Sequence, residues 1–384
     1  MRVVIDCRWI RSVKLDGIGR YTFELVRELV HLPEHDTLYI LLVHDREVAS
    51  WLEREYQLKD LTHVRLQRLP YPVLCLSDIR KLRGDLEVLK PDVVFCPNYL
   101  CRPFSPKYRT ILTVHDLIPF VMPEVRTRLL WKVFYGMPFL TRSLLRRADR
   151  LVTVSLYSAG DISKRFGIPE DTIHVVSEGV AETFSLPVEA AKRDLVRQRY
   201  DLPERYVLCV SRQQPYKNLL GLARAYAALP DALKSRYQLV LTGEPHRQYR
   251  EELTAALAPL ISARQAVFTG FVGDEDLPAL YQMASLFVLP SLYEGFGLPV
   301  LEAMASGCPV ACSDAASLPE VGGDAVDYFD PRDQQSMTDT LSRLLQDEPG
   351  ASARSVRGRK RAQQFTWQKT AEQMHELFNC CPKR

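Results

Sequence analysis

The chain has 384 residues with 50 Lys and Arg against 47 Asp and Glu, a formal charge of +3. That length predicts two domains or one large one, and so mild a charge gives no argument for nucleic acid. Nine Cys, an odd number with no C-x-x-C spacing, suit reduced thiols better than a disulfide frame or a zinc site. MRVVIDCRWIRS starts as a strand and breaks into charge, so no signal peptide is expected, and no uninterrupted apolar run is long enough to span a bilayer. A cytoplasmic protein, soluble or peripheral to a membrane, is expected.

Arg2 to Ile10 reads as the first strand. DGIGRYTFELVRELVHL follows, with Phe23, Leu25, Val26, Leu29 and Val30 at helical spacing. The Gly17-Ile18-Gly19 turn ahead of that helix is a candidate phosphate cradle. A dinucleotide fingerprint would place a third Gly where Thr22 stands, and no Rossmann-type acidic residue is obvious within the next strand, Tyr39 to His44. Further strands read at VRLQRLP, PDVVFCP and TILTVHD, and the αβ alternation predicts a parallel sheet whose ligand edge is the carboxyl end of its strands. His115 and Asp116 stand at such an end. A His there by itself reads as packing or capping, and Asp116 as fixing the turn.

Arg126 to Arg150 mixes seven basic residues with Trp131, Phe134, Tyr135 and Phe139, broken or kinked by Pro138. Two readings are open: an interfacial helix pair on a membrane, or a core helix with a solvated basic edge. RLVTVS, the helix SLYSAGDISKRF and IHVVSEGV close the first half. Residues 186–204, polar and holding Pro187 and Pro203, read as a linker. A second αβ layer restarts at YVLCVS and continues through YQLVLTG, QAVFTGFV, LFVLP and PVACSD. Arg212 and Lys217 follow its first strand, Gly243 and Glu244 close the next, and Gly270-Phe271-Val272 closes another.

The most informative stretch is SLYEGFGLPVLEAMASGCPV, Ser291 to Val310. A buried strand, a turn with Gly295 and Gly297, and a helix from Pro299 to Ser306 make an anion cradle, since free amides and the positive helix end favour phosphate. Carboxylates beside a phosphate gain nothing from attraction, so Glu294 and Glu302 read better as acceptors for the hydroxyls of a sugar and a ribose. An ordinary buried αβ unit with solvated Glu residues is the plainer alternative.

The Glu294-to-Glu302 spacing within that stretch resembles the signature of glycosyltransferase family 4, retaining nucleotide-sugar transferases of the GT-B fold. The resemblance covers nearly the whole chain. It implies an α/β fold of two Rossmann-like αβα domains facing across a cleft: residues 1–185 on the acceptor side, joined by a C-terminal helix from 364–384 returning to it, and residues 205–363 on the donor side. It also implies that Arg212 and Lys217 hold the donor diphosphate, Arg as a fork and Lys as a point charge. The amides of Gly297 and Leu298 would assist them. Gly17, Gly19, Gly243, Glu244, Val272 and Phe296 would line the donor. His115 would reach the transferred sugar and support its developing positive charge, Glu294 would orient the sugar, and Glu302 would bind the ribose. Relatives usually carry Asn where Glu178 precedes Gly179. Ser317 and Glu320 would pin local structure, and Trp367 would anchor the final helix.

The implied reaction is transfer of a hexose, mannose or a rhamnose-type deoxyhexose from a GDP-sugar, to a hydroxyl of a glycan or polyprenyl-diphosphate-linked acceptor in bacterial polysaccharide assembly. No cofactor and no metal is expected, since cations and a helix end already face the leaving diphosphate and no Asp-x-Asp motif is well placed. The open alternatives are a UDP-sugar donor, a GT-B epimerase without this Glu pair, a nucleotide-sugar-binding scaffold without transfer, and a nicotinamide dehydrogenase, against which the missing third Gly argues.

Overall fold

A computed structural model describes residues 1–33, 36–125, 135–243 and 250–380. The chain divides into two compact units, one of Met1–Phe120, Arg128–Gly179 and Thr366–Arg384, the other of Val121–Thr127 and Val180–Phe365.

Among the described residues the first unit holds a seven-stranded parallel sheet: β1 (Arg2–Asp6), β2 (Leu38–Val43), β3 (Val64–Arg68), β4 (Val93–Cys96), β5 (Arg109–Val114), β6 (Arg150–Thr153) and β7 (Ile173–Val175). Their spatial order is β3-β2-β1-β4-β5-β6-β7. Runs such as Val3-Val4-Ile5 and Val93 to Phe95 are wholly buried, as continuous apolar strands covered on both faces must be. β1 stops at Asp6, four residues short of the expected Ile10, because the Asp6 carboxylate accepts from the Arg8 amide at 3.3 Å and folds Cys7–Trp9 into a single 3₁₀ turn.

The Gly17-Ile18-Gly19 segment is not a loop ahead of a helix: the helix spans Gly17–Val30 and Asp16 caps it, its Oδ1 accepting from the Gly19 amide at 2.8 Å. A carboxylate in that place already satisfies the helix start, and its charge opposes a phosphate there. Pro138 marks the expected break: Tyr135 is helical, the helix is interrupted at Gly136 and Met137, and Pro138 opens a new one, Pro138–Leu145, where its missing N–H is harmless in the first turn. The rest of the basic and aromatic stretch, residues 126–134, lies outside the described residues.

The helix Trp367–Asn379 packs on the first unit's sheet side as expected. Trp367 is buried edge-on to Tyr21, Phe378 meets Phe95, and the Tyr39 hydroxyl lies 2.8 Å from His375 Nδ1. Gly179 is required by this return: a Cβ there would stand 2.1 Å from the Trp367 amide nitrogen.

The second unit holds β8 (Tyr206–Cys209), β9 (Gln238–Thr242), β10 (Ala266–Gly270), β11 (Leu286–Leu289), β12 (Val310–Ser313) and β13 (Asp327–Phe329), all parallel, in the order β10-β9-β8-β11-β12-β13. The short β13 was not expected from sequence. Most of the stretch read as a linker is in fact the helix Ala190–Arg199 of this unit. Its polar face is fastened to buried Asp276, which pairs with Lys192, with Arg199 at 2.6 Å and with the Tyr200 hydroxyl at 3.0 Å. Burial alone would raise the Asp276 carboxyl pKa, but these donors hold it below the usual range. Among the described residues no helix is long and apolar enough to cross a membrane.

Candidate functional site

Open parallel sheets bind ligands outside the carboxyl ends of their strands, where the strand order reverses. In the second unit that point lies between β8 and β11. The loop after β8 carries Arg212 and Lys217, and the loop after β11 carries Glu294 and Gly297. The two loops are stitched together, the Leu292 amide donating to the Tyr216 carbonyl at 2.8 Å.

Lys217 Nζ stands 2.6 Å from Glu294 Oε1, and the side chains are only 12% and 9% exposed. Burial would lower the Lys217 pKa, yet the Glu294 carboxylate outweighs it and holds the ammonium charged above its ordinary value. The Ser291 hydroxyl donates to the same oxygen at 2.6 Å. Ser317 fixes the turn from behind, its hydroxyl 3.0 Å from the Glu294 carbonyl and 2.7 Å from that of Phe296. Gly297 then takes φ +121°, where a Cβ would also stand 2.7 Å from Leu318, and opens the helix Leu298–Ala305 with no side chain capping it. An uncapped helix start beside a buried ammonium is a site made for an anion.

Arg212 is exposed and makes no ion pair among the described residues. Gly243 ends β9 at φ +90°, so close to the neighbouring loop that a Cβ would lie 2.2 Å from the Ser211 carbonyl oxygen. Gln213, buried beneath it, donates to the Gly243 carbonyl at 3.0 Å. Glu244 lies outside the described residues. Val272 and Phe296 are buried, the latter with its ring on Phe365. Glu302, 6% exposed, accepts from the Tyr281 hydroxyl at 2.9 Å. Asp274-Glu275-Asp276 is the Asp-x-Asp of this unit, and its Asp276 is spent on Lys192 and Arg199.

In the first unit His115 follows β5 and ties strand ends together. Its Nε2 lies 2.8 Å from the Pro97 carbonyl after β4, and its Nδ1 lies 3.4 Å from Glu178 Oε1 after β7. Tyr21 packs edge-on against the ring, centroids 4.5 Å apart. Burial would lower the His115 pKa, but the hydrogen bond and charge of Glu178 outweigh it and raise the value above the ordinary one. Asp116 fixes the turn, accepting from the Ile118 amide at 2.9 Å.

Gly17 and Gly19 belong to the capped helix start described above, in the same unit as His115. The group Asp6, Cys96 and Cys101 brings metal-ligating atoms together, but Asp6 places both oxygens on Arg8 at 2.7 Å, and burial pushes both thiols up toward their protonated forms. Sequence reasoning missed Ser291, Gln213 and Tyr281, and it missed that Glu178 pairs with His115. Only Ser291, three residues before Glu294, left a local signal.

A model of family 4 glycosyltransferases matches residues 15–184, and a model of group 1 glycosyl transferases matches residues 192–376. The O-antigen chain mannosyltransferase B of Escherichia coli is 34% identical over 369 residues, covering 94% of this chain and 94% of its own length. The serotype-specific mannosyltransferase WbdA of Escherichia coli is 34% identical over 276 residues, 71% of this chain but 33% of that longer protein. Among solved structures, Anabaena HepE in complex with UDP-glucose superposes with TM-score 0.77 at 16% identity, covering 99% of each chain. The chain therefore belongs to the glycosyltransferases, its halves being the family 4 and group 1 domains, and is an enzyme of that class with the GT-B fold.

Proposed function

We propose that the enzyme is a retaining, metal-independent mannosyltransferase that moves a hexose from a GDP-linked donor to a hydroxyl of a glycan or polyprenyl-diphosphate-linked oligosaccharide. The observation that carries the reading is the buried Lys217–Glu294 pair, 2.6 Å apart, beside the uncapped start of Leu298–Ala305 at the strand-order reversal. Lys217, Arg212 and the Gly297 and Leu298 amides meet the diphosphate, whose negative charge grows as the anomeric C–O bond breaks. Preorganised donors of this kind are worth about 3–4 kcal/mol each in systems where one has been removed. Glu294 accepts from sugar hydroxyls and Glu302 from the ribose, with Tyr281 holding one Glu302 oxygen. Gly243, Val272 and Phe296 line the donor.

The acceptor oxygen bonds to the anomeric carbon on the face the phosphate leaves, and the departing phosphate oxygen takes the acceptor's proton. His115, with both ring nitrogens committed to Pro97 and Glu178, acts on the sugar through its charge. The mannosyltransferase names of the Escherichia coli relatives support the choice of sugar. Exposed Phe139 and Leu140 beside Arg142, Arg146 and Arg147 support a peripheral contact with an anionic membrane. The UDP-glucose complex of HepE favours a second reading, a UDP-linked donor.

The test is thermal unfolding with GDP, UDP, ADP and dTDP, each with divalent metal and with EDTA. A ligand at 100 times its Kd adds about 2.7 kcal/mol. A shift with GDP alone that EDTA leaves unchanged supports the reading, and a UDP-only shift moves it to the second donor. No shift with any nucleotide overturns it. Transfer from GDP-mannose, followed by NMR of the product's anomeric proton, then decides retention.

A further inference from the structure

His115 is held by a carbonyl, which can only accept, and by a carboxyl, which accepts when ionised. A carbonyl has no proton to give, so the 2.8 Å contact with Pro97 requires the proton to sit on Nε2. The neutral ring would then turn the bare lone pair of Nδ1 toward Glu178 Oε1, 3.4 Å away, and two electron-rich atoms would face one another. With Glu178 ionised, only the doubly protonated ring satisfies both neighbours. The other groups around it do not alter this. Tyr21, on the helix Gly17–Val30, offers a ring edge, and burial keeps its hydroxyl protonated. The Ser158 hydroxyl, on the helix Leu156–Phe166, donates to the backbone carbonyl of His115 and not to the ring. Asp116, the next residue, adds a second negative charge that favours the cation. The ring side chain is 13% exposed and that of Glu178 is 8% exposed, so water screens the pair weakly.

We propose that Glu178 is a positioning residue that fixes His115 as an imidazolium, so that this histidine presents a constant positive charge during turnover and neither takes nor gives a proton. The inference rests on the reading that His115 belongs to the transfer site. Glu178 does this from the end of β7, across β6 from the strand that carries His115. The arrangement excludes His115 as a general base toward the acceptor hydroxyl. It leaves the leaving diphosphate as the base, in keeping with the same-face reaction proposed above.

The test compares wild type with Glu178→Gln, which keeps shape and loses charge, and Glu178→Asp, which keeps charge. Nitrogen-15 NMR of the histidine rings, with His115 assigned by its loss in His115→Asn, reports protonation directly and needs no turnover. The expected result is that His115 stays doubly protonated in wild type beyond the pH at which an ordinary histidine titrates. In Glu178→Gln its midpoint should fall by about one pH unit or more, about tenfold in proton affinity. The alkaline limb of kcat/KM should move by the same amount, and Glu178→Asp should return most of both shifts. A merely structural role would lower activity at every pH and leave the limb in place.

Equal His115 midpoints in wild type and Glu178→Gln would overturn the proposal, as would a wild-type ring that is a single neutral tautomer at pH 7. So would a ring whose midpoint moves while the activity limb does not. If no donor supports transfer, the proposed function fails instead, and the NMR midpoints alone still decide whether Glu178 fixes the charge of His115.

Discussion

Replacing Glu294 by Gln should make the protein less stable and yet bind a nucleoside diphosphate more tightly. The carboxylate that is lost now receives Lys217 Nζ and the Ser291 hydroxyl, each at 2.6 Å on the same oxygen. Gln preserves shape and one neutral acceptor, so the packing survives and the change is electrostatic. Removing one partner of a buried ion pair costs about 3–5 kcal/mol, because the other charge stays behind unmatched. Lys217 is 12% exposed and keeps a neutral acceptor, which places the cost near the lower end, about 3 kcal/mol. The sign follows from the Lys217 pKa, which burial lowers and Glu294 raises by more. A raised lysine contributes stability below its unfolded pKa, about 10.4, and loses it only as pH rises through the folded value, so the whole effect is present at pH 7.

A diphosphate supplies the missing anion without having to displace a carboxylate. Its affinity should therefore rise about tenfold, equivalent to 1.4 kcal/mol, and saturating nucleotide should recover much of the lost stability. Urea unfolding with and without GDP and UDP, together with titration calorimetry, measures both quantities. Turnover should still fall by about two decades or more, roughly the loss of one preorganised contact to the reacting group. A variant as stable as wild type, or one that binds the diphosphate more weakly, would refute the idea that Glu294 and the phosphate compete for Lys217.

Gly243→Ala should lower stability by about 1–3 kcal/mol from backbone strain alone, and by more as the Cβ meets the Ser211 carbonyl; urea midpoints measure it, and an unchanged midpoint would refute the tight junction of β8 and β9. Tyr281→Phe should raise the donor KM severalfold by releasing Glu302, at a stability cost of about 1 kcal/mol, and steady-state kinetics at fixed acceptor reads it. The stability gap between wild type and Glu178→Gln should be widest below about pH 6.5 and close as pH rises through the folded pKa of His115, because a raised histidine stabilises only while it is protonated; melting temperatures from pH 5.5 to 9 follow it. Asp276, held low by Lys192, Tyr200 and Arg199, runs the opposite way. Asp276→Asn should melt below wild type at neutral pH, with the difference vanishing as acid protonates the wild-type carboxyl.

What could be read from sequence was what is written locally. Fully buried parallel strands require unbroken apolar runs, so Val3-Val4-Ile5 and Phe287-Val288-Leu289 announced themselves. Gly297 and the flanking glutamates point to an anion cradle because few other needs explain that combination. The register by which β8 and β11 lie side by side, and so bring Lys217 to Glu294 across 77 positions, is a property of the sheet and not of either loop. Residues 186–204 read as a linker because the polar surface of the helix Ala190–Arg199 meets its partner, Asp276, only far along the chain. The Gly17-Ile18-Gly19 turn reads as a candidate phosphate cradle because nothing local says whether Asp16 will cap the helix or turn away.

His115 shows the division most plainly. Its place at a strand end follows from the apolar pattern of Thr110 to Val114, since the chain must leave the sheet where that pattern stops. Its partners were decided only by folding, which set Pro97 and Glu178 against its two nitrogens and left the pair little exposed to water. Local sequence fixes which residues reach the carboxyl edge of a sheet, because backbone conformation and burial are short-range demands. The protonation and pairing of those residues depend on neighbours that come together only when the strands are laid in order.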